Sequence, residues 1–108
     1  MKMKVYWGRR LQPELKTGSD VEVLVNSKQL RHHVYHSPTG FCWGYGGSGP
    51  ADLARSILWD YLGAEPSASL YHDFKFEFVT KWGAEWTITE NEIEKWIRSR
   101  PEKDILAK

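Results

Sequence analysis

An α+β domain follows from three patterns: apolar alternation in both halves of the chain, two amphipathic stretches bounded by helix start and stop signals, and the lack of any internal repeat. These predict a mixed or antiparallel sheet of about five to six strands packed by two helices, in the order β-β-β-β-α-β-β-α. Residues 4–9 form the first strand, with Val5 and Trp7 on one face, and a polar loop follows through Pro13, Thr17, Gly18 and Ser19. Val21, Val23 and Val25 alternate with Glu22 and Leu24 in the second strand. In residues 30–36, Leu30, His32, Val34 and His36 share one strand face. Ser37-Pro38-Thr39-Gly40 has hairpin chemistry, and Phe41, Trp43 and Tyr45 continue as an aromatic strand.

The first helix starts at Ser48 or Gly49 as cap, with Pro50 as first residue and Asp52 in the first turn, and it stops at Gly63. Leu53, Ala54, Ile57, Leu58, Tyr61 and Leu62 make its buried stripe, which leaves Arg55, Ser56, Trp59 and Asp60 outside. Phe74, Phe76 and Phe78 alternate with Lys75 and Glu77 as a strand, and residues 82–88 supply its partner. Thr89 to Glu92 reads as a capping box that opens the second helix, with Ile93, Trp96 and Ile97 inward and Pro101 as the stop. Residues 1–101 are thus a single compact domain, and residues 102–108 a loose C-terminal tail.

A chain of 108 residues suffices for one hydrophobic core. Fifteen Lys and Arg against fourteen Asp and Glu leave a net charge of +1, which excludes global steering onto nucleic acid or an acidic membrane. The single Cys42 and the lack of a signal-peptide core point to the cytoplasm. An aromatic share of 14%, with six Trp, exceeds ordinary core need and points to binding surface.

The segment Gly44-Tyr45-Gly46-Gly47-Ser48-Gly49 runs straight into the first helix. As a binding nest, its N–H groups and those of Ala51 and Asp52 hold a phosphate, with the Ser48 hydroxyl as a further donor. As a turn, the same glycines simply take positive φ before a Pro-initiated helix. The two readings have equal weight at this level. The segment lacks the Gly-Lys-Ser/Thr ending of a P-loop and the G-x-G-x-x-G dinucleotide spacing. Tyr45 and Trp59 are candidate platforms for a base, with Trp43 placed in the core, and Arg9, Arg10 and Arg31 are candidate phosphate partners. His36 is the candidate general acid of a metal-independent phosphodiesterase aided by Ser48, against a structural reading as a turn histidine. His32, His33 and His36 lack the third ligand and spacing of a metal site, so no metal and no cofactor is expected.

The stretch HSPTGFCWGYGGSGPADLARSIL, with VYWGRR, YHDFKFEFV and WTITENEIEKWI around it, resembles the signature of a family of small uncharacterised proteins of bacteria, archaea and their phages. The layout of glycine loop, helix, strand and TITENEI helix is also similar to viral ring nucleases, dimers that hold cyclic oligoadenylate signals over helix N-termini and use a His without metal. The matching position after Gly44 is Tyr45 and not His, a change that puts cleavage in question and that binding without turnover would survive. The expectation is a small homo-oligomeric binding protein of phage or mobile-element type. It would capture a nucleotide-like ligand at Tyr45, Gly46, Gly47, Ser48, Gly49, Ala51 and Asp52, with Trp59, Arg9 and Arg31 around them, and so sequester a defence signal. The rival expectations are the phosphodiesterase and a module that docks a host protein, for which the glycine loop is only a turn.

Overall fold

Alternating valines build the sheet as expected, and its register is set by side chains that reach the core. The computed structural model describes residues 3–11, 20–37 and 40–108; the expected loop at 12–19 and the turn at 38–39 lie outside them. Strand β1 (Val5–Arg10) pairs antiparallel with β2 (Val21–Val25), with Gly8 opposite Val23. Asn26 and Ser27 take φ of 48° and 73°, the left-handed pair of a tight hairpin, and lead into β3 (Lys28–Gln29). The Asn26 side chain accepts from the Val5 N–H at 2.8 Å, which locks this turn to β1. On its other side β1 pairs antiparallel with β4 (Glu85–Thr89), giving a four-stranded sheet of order β3-β2-β1-β4. Tyr6, Val23, Trp86 and Ile88 point into the core, and the Trp86 indole lies where a side chain at Gly8 would stand.

Among the described residues three expected strands are absent, at 30–36, 41–45 and 74–78. Residues 30–36 leave the sheet after the Leu30 N–H donates to the Val23 carbonyl, because the next backbone donors find side chains on a helix instead of a strand. Residues 41–45 form no strand either: Trp43 is fully buried edge-on to Trp86, its indole N–H donating to the Gly83 carbonyl.

Helix α1 (Ser48–Leu62) begins two residues before the expected Pro50 and ends at Gly63 with φ 73°. Leu53, Ala54, Ile57 and Leu58 are buried as expected, but so are Asp52, Arg55 and Ser56. Residues 32–37 cover that second face, so an outer side read as solvated is a seam. Helix α2 (Ala68–Glu77) replaces the expected phenylalanine strand. Ser67 caps it by accepting from the Leu70 N–H, and helical spacing packs Phe74 against Phe78, tilted with ring centroids 4.9 Å apart, while turning Phe76 outward. A 3₁₀ turn (Val79–Lys81) leads to β4, and α3 (Glu90–Ser99) starts with the full capping box of Thr89 and Glu92 and buries Ile93. The described residues therefore hold four strands and three helices, and all but the exposed β3 contribute to one hydrophobic core. Residues after Pro101, read as a tail, return to the loop before α2, where Ser67 N–H donates to the Ile105 carbonyl and Leu106 pairs with Pro66.

Candidate functional site

Gly47 is the N-cap of α1, extended at φ −110° and with no side-chain cap. The first internal bond runs from the Ala51 N–H to the Gly47 carbonyl, and Pro50 has no N–H. The N–H groups of Ser48 and Gly49 precede that bond and have no acceptor within the helix, and the Ser48 side chain is exposed beside them. Here the helix dipole presents its positive end. Ala51, expected to donate to a ligand, spends its N–H inside the helix instead.

The glycines divide by role. Gly44 alone among those of the loop takes a left-handed φ, 86°, and donates its N–H to the Val79 carbonyl. The Tyr45 ring folds over Gly47, so a side chain there would have to displace that ring, and Cys42 Cβ lies 2.8 Å from where a side chain at Gly49 would begin, so Gly49 admits only hydrogen. Gly46 has room and faces Phe76 and Thr80. Tyr45 stays 51% exposed over the turn; burial, and then the neighbouring Cys42, raise the pKa of its phenol, which therefore remains a neutral donor.

Asp52 corrects the sequence reading most. With α1 starting at Ser48 it lies in the second turn, fully buried, and its carboxylate faces residues 32–37. It accepts from His32 Nε2 at 2.8 Å and from the N–H groups of Tyr35, His36 and Ser37 at 3.1, 2.8 and 2.9 Å. Burial raises its pKa, but the His32 bond and these three N–H groups together outweigh that and hold it below the usual carboxylate range. Ser56 Oγ accepts from the His33 N–H, and Arg55 donates to the His33 carbonyl and Glu65. The Asp52 carboxylate is a structural staple for residues 32–37.

The remaining expected residues scatter. Trp59 stacks on His33 at 3.9 Å with the Arg55 guanidinium over it, about 16 Å further along the helix axis from Ser48. Arg9 pairs with Glu22 and lies over Trp7, on the sheet face away from the core. Arg31 is exposed on the segment after β3. The arginine that reaches the glycine loop is Arg10, whose guanidinium donates to the Trp43 carbonyl and touches Gly44. His36 shares a hydrogen bond with the Tyr71 hydroxyl at 2.8 Å, and its ring centroid lies 5.7 Å from that of His72. His72 is pushed to lower pKa by burial and then Lys75, and His33 by burial and then Arg31. Among the described residues, no three His, Cys, Asp or Glu side chains converge as a metal site would need, and no helix is long and apolar enough to cross a membrane.

Residues 6–99 match the model of a family of unknown function, DUF6166. The chain belongs to that family. The matched span takes in the Asp52 staple, the glycine loop and all three helices of the DUF6166 chain, and ends at the last residue of α3. No curated protein and no solved structure matches the chain.

Proposed function

We propose that this chain is a small binding protein that takes a phosphate-bearing, nucleotide-like ligand at the N-terminus of α1. The observation that carries the reading is the open first turn: α2 and α3 are closed by Ser67 and Thr89, whereas α1 has no side-chain cap and leaves Ser48 exposed. A phosphate there accepts from the Ser48 and Gly49 N–H groups and the Ser48 hydroxyl. The half-exposed Tyr45 offers a face on which a base can stack, and Arg10 borders the loop at Gly44. Asp52 does not oppose the anion directly, because its oxygens are committed to residues 32–37. The finer form of the proposal is a signalling nucleotide held without turnover.

Thermal unfolding of the protein with inorganic phosphate, AMP and cyclic di- and oligoadenylates tests it, since a ligand of the native state raises the midpoint. A rise is expected with a nucleotide, and its loss in Ser48→Asp, which places a carboxylate among the donors. If no nucleotide shifts the midpoint, or if Ser48→Asp binds as the parent does, the reading fails.

A further inference from the structure

Four charged side chains are buried among the described residues, and three of them have charged partners: Asp52 has His32, Arg55 has Glu65 and Arg100 has Asp73. The fourth is Lys75 on α2, 7% exposed, which makes no hydrogen bond and no ion pair with any described residue. The acids two residues to either side of it are engaged elsewhere, Asp73 with Arg100 and Glu77 with Lys81. Unlike Arg100 Nη1, which is closed off from solvent, Lys75 Nζ keeps accessible surface at the end of its buried stem. It stands 4.4 Å from the centre of the Phe76 ring, and Gly46 approaches the edge of the same ring, with 3.7 Å between Phe76 Cε1 and the place of a Cβ. The ammonium and the glycine loop therefore border one phenyl ring, two residues ahead of Ser48. A cation without a counter-charge near the positive end of a helix dipole is costly, and an anion reaching both removes that cost.

We propose, resting on the nucleotide site at Ser48, that Lys75 is the cationic partner of the ligand's phosphate and that the ligand is a nucleotide ending in a phosphomonoester. The amount of charge sets this class. The Ser48 and Gly49 N–H groups suit a phosphodiester with a single charge, whereas a full ammonium added to them favours a phosphate with nearly two, which a nucleotide carries only at a terminal monoester. The four-carbon stem lets the ammonium swing from the Phe76 ring to such a phosphate.

Isothermal titration of the full chain at about pH 7.5 tests it with AMP, whose phosphate carries nearly two charges, and with adenosine 5′-(methyl phosphate), which keeps the shape and only one. AMP is expected to bind about tenfold or more tightly than its methyl ester. Lys75→Met retains the buried stem and removes the charge, so it weakens AMP by about tenfold and the methyl ester by less. Should that variant fail to fold, the two ligands compared on the parent protein still decide. AMP and its methyl ester binding equally, Lys75→Met binding AMP as the parent does, or a cyclic nucleotide binding where AMP does not each overturn the role of Lys75 alone, provided that Ser48→Asp still abolishes binding. No binding of any nucleotide, or binding that Ser48→Asp leaves unchanged, overturns that role and the Ser48 site together.

Discussion

The N-termini of α1 and α3 solve the same problem in opposite ways. At α3, Thr89 and Glu92 bond to each other's backbone, Glu90 and Glu92 oppose the dipole, and Glu90 also accepts from the Lys4 N–H. At α1 a bare glycine precedes an exposed serine, there is no acid in the first turn, and the nearest carboxylate, Asp52, faces sideways into residues 32–37. One helix end is closed for stability, while the other directs its acid to holding a neighbouring segment and keeps its donors open. A helix terminus is thus a resource that can be assigned either to the fold or to a ligand.

The largest break in this contrast is Asp52→Ala. It strands three backbone N–H groups and a histidine nitrogen, and a loss of roughly 3–5 kcal/mol is expected by urea unfolding at neutral pH, with Asp52→Asn in between. Because the folded pKa of Asp52 is depressed, its contribution is present above its unfolded value of 3.8 and disappears as pH falls through the lower folded value. Thr89→Ala comes next, at about 1 kcal/mol, whereas Ser48→Ala at the open end changes stability by less than about 0.5 kcal/mol and shows its effect in ligand titration. Ser48→Asp reverses the sign: it adds about 0.3–1 kcal/mol in the same urea assay and abolishes the anion binding proposed for that end.

The smallest effect expected is a pH dependence away from both helix ends. His33 and His72 have lowered folded pKa values, so the stability they contribute is complete above the ordinary histidine value of 6.5 and drains as pH falls below it. Urea midpoints compared on either side of that value should fall toward acid, and the double variant His33→Gln, His72→Gln should flatten the difference.

Features whose partners are close in sequence were legible: the Thr89 capping box, the Gly63 stop, the alternating valines and the Leu53 to Leu58 stripe. Phe74, Phe76 and Phe78 misled because alternation over five residues also places the outer pair one helical turn apart, and the Ser67 cap that decides for a helix lies well before them. The strand read at 30–36 failed for a longer-range reason. Its N–H groups are satisfied by Asp52 and Ser56, side chains 15 to 23 residues away on α1, and no local pattern announces a carboxylate used in place of a strand. At the site, the glycine loop and Ser48 could be located from composition, but not that Asp52 and Ala51 turn away from it. The choice of Arg9 over its neighbour Arg10 turned on which sheet face each occupies, which the β1 register sets and the arginine pattern does not.

The place of β1 between β2 and β4 also shapes how the molecule forms. The hairpin to β2 can close early, but Tyr6 pairs with Ile88 and Trp7 with Thr87, contacts separated by about eighty residues. Until β4 has been synthesised, one side of β1 has an unpaired row of backbone groups next to Trp7, and a nascent chain stalled before that point offers a sticky edge to other chains. A chain truncated before β4 is therefore expected to associate through β1 more readily than the full chain.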